Sequence, residues 1–276
     1  MEKTEKVSGA VFIGDPRLQY ASRYLKHAGI TLETAKNFQE AQQLLSRRSA
    51  QFDFVLLPGT TPRTGQIRLL DGAVINADAF LRALDSQVMV FTGHETPYIR
   101  QLSARVVDCF ADEEVMQANA RLTAEGILYM LLGQTPGSLY QYDYDIIGAG
   151  HTGRATQGML QALHLPVRMV TKEGGEGAVS TAEWLLQTPA DVVICTAPTR
   201  IVTYQTAQNW QKPVVLLDIT TAQSCVEAAV AQLPKVQLLA APPLPGLVAP
   251  KAAGSLIANF VLKAYKNLIE GSREEK

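Results

Sequence analysis

Short runs of β-branched and apolar residues alternate with amphipathic segments along the whole chain. Parallel strands need a crossover between them, so this alternation indicates parallel sheets built from βαβ units. In the first half the predicted strands are Ala10–Gly14, a weaker one near Thr31, Phe52–Pro58, Val88–Gly93 and Arg105–Phe110. In the second half they are Asp143–Ile147, Val167–Thr171, Asp191–Thr196, Val214–Asp218 and Val236–Leu239. We predict an α/β protein with two Rossmann-like, doubly wound domains and mostly parallel sheets.

Composition limits the classes of partner. Apolar residues make up 47%, charged residues 18% and the formal net charge is -1, so the chain can build cores but carries no basic footprint for nucleic acid. No apolar run reaches the roughly 18 residues of a membrane helix, and the hydrophilic start does not resemble a signal peptide. The three cysteines form neither a CxxC pair nor a disulfide framework. We expect a cytoplasmic protein without a metal site.

One loop has the spacing of a dinucleotide-binding site: Gly148, Ala149, Gly150, His151, Thr152 and Gly153. It follows a predicted strand directly and precedes a predicted helix, Arg154–Leu163, a context that a chance match lacks. Gly148 permits the tight turn, Gly150 lets the backbone approach a pyrophosphate, and Gly153 lets helix and strand pack closely. The N–H groups at the helix start favour the anion. We predict that all six residues bind NAD(P); a structural turn is the alternative.

The ends of the following strands supply further candidate cofactor contacts. Thr171 and Lys172 come about twenty residues after the loop, where NAD-specific sheets place an acidic residue for the ribose 2′-hydroxyl. Lys172 can pair with a 2′-phosphate, which favours NADP, whereas Glu173 could serve a 2′-hydroxyl and leaves NAD open. The remaining candidates follow later strands or lie near the C-terminus: Thr196, Ala197, Pro198, Asp218 and Pro245.

The helix pattern divides the chain into domains. Asp112–Gln134 reads as one long helix, and the breaker cluster Thr135-Pro136-Gly137-Ser138 ends it. We predict an N-terminal substrate-binding α/β domain over residues 1–117 and an NAD(P)-binding domain with its leading linker helix over residues 118–250. A C-terminal helix within residues 251–276 is expected to pack back on the first domain. The active site is expected in the interdomain cleft, because ligands of open α/β sheets bind at the carboxyl edge.

Candidate substrate contacts follow the strands of the first half. Asp15 and Arg17 come after the first strand and could hold an anion, although a helix cap with a surface arginine is the alternative. Thr64 and Thr92 stand in loops after two further strands, at the same edge of the predicted sheet. We therefore predict that these four residues contact the substrate.

A proline-rich segment precedes the last predicted helix, Ala252–Ile269. Its four prolines favour an extended path, and its small residues let a helix begin close to another element. Lys251 is the only cation of the segment and stands at the helix start, where N–H groups gather for an anion. We predict that Lys251 holds a carboxylate of the substrate; a solvated lysine is the alternative.

Histidine placement argues against one class of enzyme. Dehydrogenases that act on 2-hydroxy acids over this two-domain plan use a histidine general base contributed after the Rossmann strands. The histidines here are His27, His94, His151 and His164. None follows the second strand of the predicted cofactor domain, and His151 is expected to face the cofactor phosphates.

The chain resembles the A subunit of dipicolinate synthase from spore-forming bacteria. The most specific element is Pro-Leu-Pro-Gly-Leu-Val-Ala-Pro-Lys over residues 243–251, followed by Ala253-Gly254 and Ile257-Ala258-Asn259. Further matches are Gly14-Asp15 with Arg17, Asn119 with Thr123, Glu125 and Gly126, and the loop from Gly148 to Arg154. Two places differ: Leu18 follows Arg17 where the family usually has glutamine, and Thr171-Lys172-Glu173 replaces Ala-Arg-Ser.

The resemblance implies an NADP-linked oxidoreductase of the sporulating mother cell. It would convert dihydrodipicolinate to pyridine-2,6-dicarboxylate together with the flavoprotein-like B subunit of dipicolinate synthase, in an oligomer, and it adds Thr123 and Glu125 to the candidate catalytic residues. Because the product ring is aromatic, the protein must mainly orient the ring and hold two carboxylates, and no strong base is needed. A non-catalytic nucleotide sensor or scaffold, or another two-domain dehydrogenase, is the alternative.

Overall fold

The computed structural model describes residues 7–47, 52–59, 65–93, 95–102, 105–220, 223–241 and 243–274, with side chains to residue 267. The chain forms two compact units. The first comprises Met1–Ala118 with Ala249–Lys276, and the second comprises Asn119–Val248. Over the described ranges, no helix is both long enough and apolar enough to cross a membrane.

The first unit contains a parallel sheet and a short hairpin. Its strands are β1 (Ser8–Phe12), β2 (Thr31–Ala35), β3 (Phe54–Leu56), β4 (Gln66–Arg68), β5 (Val74–Asn76), β6 (Met89–Thr92) and β7 (Val106–Asp108). The sheet order is β2-β1-β3-β6-β7 with every pair parallel, and β4 and β5 form a separate antiparallel pair. The chain leaves β1 on one side to reach β2 and returns on the other to β3, so the topological switch lies between β1 and β3.

Side-chain caps fix the first helices of this unit. Its helices are α1 (Pro16–His27), α2 (Phe38–Leu45), α3 (Asp78–Arg82), α4 (Pro97–Leu102) and the first part of α5 (Glu113–Gln134). The carboxylate of Asp15 accepts the Arg17 N–H at 2.9 Å at the start of α1, and the Asn37 side chain accepts the Glu40 N–H at 2.9 Å at the start of α2. Each cap satisfies an N–H that has no partner within its own helix.

The second unit is a six-stranded parallel sheet. Its elements are β8 (Tyr144–Ile147), α6 (His151–Ala162), β9 (Val167–Thr171), β10 (Ala178–Ser180), α7 (Thr181–Trp184), β11 (Val192–Cys195), α8 (Tyr204–Ala207), β12 (Val214–Asp218), β13 (Val236–Ala240) and α9 (Leu244–Val248), with 3₁₀ helices at Leu139–Gln141 and Ala228–Gln232. The strand order is β10-β9-β8-β11-β12-β13. This is the order of a doubly wound dinucleotide fold, so the predicted fold class is confirmed.

The last helix, α10 (Pro250–Glu274), completes the first unit. It packs along α1, and Ile257, Ala258 and Val261 join the apolar cluster beneath the sheet. A Cβ atom added to Gly254 would stand 2.5 Å from the Arg17 carbonyl oxygen. The two helices therefore approach backbone to backbone at the turn that carries Arg17.

Several elements differ from the sequence-based prediction. Strand β10 and the hairpin β4–β5 were not predicted, because these three-residue strands lack the longer apolar runs that mark the equally short β3 and β7. Helix α6 begins at His151 and not at Arg154, since Gly150 is already the extended N-cap residue. The expected extended path before α10 is wrong, because residues 244–248 form α9. Proline is compatible with a first helical turn, so these prolines do not prevent a short helix.

A buried carboxylate ties four segments of the second unit together. Asp145 is fully buried and accepts two hydrogen bonds from Arg168, at 2.7 and 2.8 Å. It also accepts the Trp184 indole N–H at 2.7 Å and the Ala190 N–H at 2.8 Å. Hydrogen bonding to this carboxylate raises the pKa of Arg168. The charge is thus paired and its oxygens are satisfied, which is the condition for burying a carboxylate.

Removing this carboxylate should destabilise the fold markedly. In Asp145→Ala the buried N–H groups of Trp184 and Ala190 lose their acceptor, so the free energy of unfolding should fall by about 3 kcal/mol. Chemical denaturation measures the loss. Glu114→Gln, which removes an exposed pair with Lys263, is the control and should cost less than about 1 kcal/mol. Equal effects of the two changes would contradict the structural role of Asp145.

Candidate functional site

The glycine loop of the second unit makes a tight turn at the end of β8. Gly148 has a φ of +110°, in the region that favours glycine, and its N–H donates to the Val170 carbonyl oxygen at 2.9 Å. A Cβ atom at this position would stand 2.6 Å from the Thr196 hydroxyl oxygen. Both the backbone angle and the neighbouring strand therefore require glycine here.

The other two glycines of the loop have different surroundings. A Cβ atom on Gly153 would overlap the Gly148 carbonyl oxygen, so Gly153 serves the close packing of α6 against the end of β8. A Cβ atom on Gly150 would meet nothing within 4 Å. Gly150 is the N-cap residue of α6 and makes no side-chain hydrogen bond, and the space beside its Cα atom is open. This arrangement fits the approach of a pyrophosphate group.

Thr196 holds the glycine loop to the neighbouring strand. Its hydroxyl lies 3.0 Å from the Ile147 carbonyl oxygen and 3.1 Å from that of Gly148, and its N–H donates to Ile147 at 2.9 Å. The Ala197 N–H donates to the same Ile147 carbonyl oxygen at 3.1 Å, while Pro198 is exposed. The predicted cofactor contacts Thr196, Ala197 and Pro198 thus adjoin the loop, and Thr196 positions it.

The candidates at the end of β9 form a turn. The Thr171 hydroxyl accepts the Gly174 N–H and lies 3.0 Å from the Gly174 carbonyl oxygen, so it closes the turn that carries Lys172 and Glu173. The side chains of Lys172 and Glu173 are both exposed. Within the described residues, Lys172 has no ion-pair partner. The Lys172 charge is therefore available to an anion, and the Glu173 carboxylate is available to a hydroxyl group.

Asp218 has a positioning role in its own loop. One carboxylate oxygen accepts the Thr220 N–H at 2.9 Å and the Thr220 hydroxyl at 2.6 Å. The other oxygen accepts the Ser224 hydroxyl at 2.6 Å, and the residue is only 8% exposed. These bonds close the turn after β12. Asp218 therefore shapes the sheet edge, and both of its carboxylate oxygens already accept hydrogen bonds from this loop.

Arg154 is a cation at the loop that the sequence reasoning did not select. Its Nε donates to the Ala149 carbonyl oxygen at 2.8 Å, and its side chain is exposed. His151 and Thr152 are half-buried in the first turn of the same helix. The position of Arg154 directly after the last glycine was the available signal. With α6 beginning at His151, Arg154 lies in the first turn, where a side chain can reach back to the loop.

The first unit has a recess at the carboxyl edge of its sheet. Its volume is about 10 Å³, room for about one water molecule. The lining residues are Asp15, Arg17, Leu18, Leu56, Leu57, Gly59, Thr92, Gly93, Cys109, Phe110 and Ile257. They come from the ends of β1, β3, β6 and β7 and from helices α1 and α10. The recess includes the topological switch of the sheet, where open α/β folds bind ligands.

Arg17 and Asp15 form an ion pair in this recess. Arg17 donates from Nε and Nη2 to the two carboxylate oxygens of Asp15, at 3.0 and 2.8 Å. The Arg17 side chain is 8% exposed, so it is not the surface arginine of the alternative interpretation, while Asp15 does cap α1. In the described part of the chain, Nη1 of Arg17 makes no hydrogen bond. The pair thus holds a planar donor group in a fixed orientation.

Thr92 and Cys109 lie beside the pair. Thr92, a predicted substrate contact, is fully buried at the end of β6. Burial raises the pKa of the Cys109 thiol to about 12, and Asp108 adds to the rise. The thiol therefore stays protonated at neutral pH and is not a thiolate nucleophile. Cys109, Gly59 and Phe110 were not predicted as site residues, although they follow strand ends at the edge that the fold rule indicates.

The remaining candidate residues occupy several places. Thr64 and its loop, and His94, lie outside the described residues. Thr123 and Glu125 belong to α5 in the second unit, where the Thr123 hydroxyl donates to the Asn119 carbonyl oxygen at 2.8 Å and Glu125 is exposed. Pro245 is buried in α9. Lys251 is exposed in the first turn of α10, in the first unit.

The chain is similar to one curated protein over most of its length. It is 23% identical over 230 residues to the A subunit of dipicolinate synthase of Bacillus subtilis (strain 168), covering 77% of each chain. Among models of known protein families, none matches the chain.

Solved structures show the same fold. The dipicolinate synthase A chain from Bacillus subtilis has 20% identity and a TM-score of 0.77, covering 98% of each chain. The corresponding dipicolinate synthase chain from Bacillus halodurans has 19% identity and a TM-score of 0.80, covering 94% of this chain and 97% of that one. A D-isomer specific 2-hydroxyacid dehydrogenase from Lactobacillus delbrueckii ssp. bulgaricus, in NAD-complexed form, has 11% identity and a TM-score of 0.57, covering 95% and 98%.

Gly150 and Gly153 should respond differently to substitution. Gly150→Ala adds a methyl group in open space, so its melting temperature should stay within about 2 °C of the parent. Gly153→Ala forces α6 away from the Gly148 carbonyl and should cost about 2 kcal/mol, or roughly 5 °C. Thermal unfolding of the two variants measures both values. Similar melting temperatures for the two would contradict the assigned packing.

Proposed function

We propose that the chain is the A subunit of a dipicolinate synthase and that it oxidises dihydrodipicolinate with NADP. The observation that carries the redox part is the open space beside Gly150. This glycine begins α6 without a side-chain cap hydrogen bond, at the carboxyl edge of a sheet with dinucleotide-fold order. The similarity to a dipicolinate synthase chain over 77% of this chain supports the substrate. The motif matches near residues 14–17 and 243–259 belong to the same resemblance.

The residues around the glycine loop fit a dinucleotide. The N–H groups of Gly150, His151 and Thr152 would hold the pyrophosphate, with Thr196, Ala197 and Pro198 along the neighbouring strand end. Lys172 would meet a 2′-phosphate, whereas Glu173 is the residue that would serve NAD. When bound, the nicotinamide supplies the hydride acceptor. Thr171, Asp218 and the buried Pro245 would support the edge that the cofactor contacts.

The proposed reaction removes one hydride and one proton from dihydrodipicolinate. The hydride reduces NADP⁺ to NADPH, the proton passes to solvent, and the ring becomes aromatic. Because aromatisation favours this direction, the protein's task is to hold and orient the dianion. Arg17 and Thr92 would bind one carboxylate in the recess, and Lys251 would bind the other, with Thr64, Thr123 and Glu125 as further candidate contacts. Asp15 would orient Arg17.

The similar proteins are named as one subunit of dipicolinate synthase, which implies a second. We propose that this second, flavoprotein-like synthase subunit is the partner, within an oligomer, in the cytoplasm of the mother cell during sporulation. Turnover tests the function directly. The purified chain, with and without the second synthase subunit, is mixed with NADP and freshly generated dihydrodipicolinate, and both NADPH and dipicolinate are quantified.

The outcomes separate the alternatives. Equimolar NADPH and dipicolinate support the proposal. Cofactor binding without turnover, even when the second synthase subunit is present, supports a nucleotide sensor or scaffold. Oxidation of a 2-hydroxy acid in a substrate panel, without oxidation of dihydrodipicolinate, supports another two-domain dehydrogenase.

Lys172 should determine the cofactor preference. Lys172→Ala removes a charged phosphate contact, which is worth on the order of 1.5 to 3 kcal/mol, so NADP affinity should fall roughly ten- to a hundredfold while NAD affinity stays unchanged. Calorimetric titration with both cofactors measures the change. Lys235→Ala is the control, because Lys235 lies at the amino end of β13, whereas Lys172 follows the carboxyl end of β9. An unchanged preference in Lys172→Ala would refute the assignment.

Lys251 should contribute to substrate recognition. Lys251→Met keeps most of the stem and removes the charge, so kcat/KM should fall roughly ten- to a hundredfold while folding and NADP affinity change little. Steady-state kinetics in the presence of the second synthase subunit measures the effect. Lys266→Met, an exposed position on the same helix, is the control. If Lys251→Met stays within about threefold of the parent, the lysine is only a solvated helix start.

A further inference from the structure

Arg154 lies at the candidate cofactor site but has no role in the proposed function. It is the fourth residue of α6, whose N-cap residue is Gly150, so it belongs to the first turn of the helix. Its Nε donates to the Ala149 carbonyl oxygen at 2.8 Å, which folds the side chain back toward the glycine loop. The guanidinium is therefore held beside the backbone on which the pyrophosphate is proposed to lie.

The hydrogen bond to Ala149 leaves most of the guanidinium group unused. Within the described residues, Nη1 and Nη2 of Arg154 make no hydrogen bond and the side chain forms no ion pair. The side chain is also exposed, so an anion from solvent can reach these two nitrogens. One nitrogen thus orients the planar group, and the other two remain as donors for a ligand.

The charge of Arg154 is unusual for the first turn of a helix. The free N–H groups there carry partial positive charge, so they favour acidic side chains and disfavour basic ones. Helices α2, α5 and α7 follow this rule, with Glu40, Glu113, Glu114 and Glu183 in their first turns. The first turn of α6 has no acidic residue and carries Arg154. A bound anion would compensate both the arginine and the helix start.

The first turn of α1 shows how the protein compensates such a charge when no ligand is involved. Arg17 stands in that turn, and Asp15 accepts two hydrogen bonds from its side chain, at 3.0 and 2.8 Å. Over the part of the chain that the structure describes, Arg154 has no carboxylate partner of this kind. This difference indicates that the compensating charge at α6 comes from a ligand.

We propose that Arg154 is a cofactor-binding residue whose guanidinium contacts the pyrophosphate of the dinucleotide. The open space beside Gly150 admits the phosphate groups to the loop, and Nη1 and Nη2 match two oxygens of a phosphate in a forked geometry. NAD and NADP share the pyrophosphate, so Arg154 raises the affinity for both, whereas Lys172 is proposed to discriminate between them. This inference rests on the proposed function, because it requires a dinucleotide at the glycine loop.

Replacement by methionine tests the contact. Arg154→Met removes the charge and the donors but keeps an unbranched stem, so the Kd values for NAD and NADP should both rise by the same factor, roughly tenfold. Calorimetric titration of the full-length protein with each cofactor measures both values. Arg154→Lys keeps the charge without the fork and should fall between the parent and Arg154→Met. Arg82→Met, at an exposed position on α3 of the first unit, is the control and should change neither affinity.

Charge reversal separates binding from a structural role. Arg154→Glu places a carboxylate in the first turn of α6, where the N–H groups favour it. Without cofactor its melting temperature should equal or exceed that of the parent, while its affinity for NAD falls more than roughly tenfold because the carboxylate repels the phosphates. A residue that only braced the loop through Ala149 would lower both quantities when replaced. Thermal unfolding without cofactor and calorimetry with NAD measure the two effects.

The possible results separate this inference from the proposed function. If the parent binds NAD or NADP and the methionine and glutamate variants keep both affinities within about twofold, the assignment of Arg154 is wrong while the proposed function stands. A fall of more than about 4 °C in the melting temperature of both variants without cofactor makes Arg154 a structural residue and also contradicts the assignment. A loss of affinity for NADP alone places Arg154 at the 2′-phosphate and overturns the pyrophosphate contact. If the parent binds neither cofactor, the proposed function itself is contradicted, and the inference falls with it.

Discussion

The approach of α6 to the end of β8 is the constraint on which the second unit depends. Gly153 leaves no room for a side chain beside the Gly148 carbonyl, and Gly148 needs a positive φ to turn the chain. The Thr196 hydroxyl lies within hydrogen-bond distance of the Ile147 and Gly148 carbonyl oxygens, so the neighbouring strand holds the same turn. These contacts leave Gly150 bordering open space. The glycine motif thus combines two packing requirements with one position whose space is available to a ligand.

A buried ion pair organises the sheet edge of the first unit. Its edge is built around a buried arginine, which the protein can accommodate because Asp15 satisfies the charge through two side-chain hydrogen bonds. The C-terminal helix packs against the same turn, through the close approach of Gly254. The recess is therefore made from segments that are distant in sequence. The residues that hold this edge together are thus the same ones that we propose as substrate contacts.

The sequence predicted the sheets well because β-branched runs mark buried parallel strands. Strands β8, β9, β11, β12 and β13 each lie within two residues of the predicted positions. The sequence did not reveal β10, whose three residues show no period, or the start of α6, because Gly150 and His151 carry no apolar pattern. It also did not reveal α9, since proline signals an extended path as readily as a first helical turn.

The candidate site was predictable where chemistry is local. The glycine loop could be found from spacing, and Asp15 and Arg17 from their position after a strand. The engagement of Asp218 by Thr220 and Ser224 depends on a loop conformation that no pattern encodes. The proximity of Gly59 and Phe110 depends on contacts between segments about fifty residues apart in the chain. Such contacts arise only when the sheet places these segments at one edge.

The central claim is that the glycine loop binds a dinucleotide through its backbone, and a crystal structure with NADP tests it most directly. We predict pyrophosphate oxygens within hydrogen-bond distance of the Gly150, His151 or Thr152 N–H groups, and a 2′-phosphate beside Lys172. NADP bound at another place, or an unliganded loop in crystals grown at saturating NADP, would contradict it.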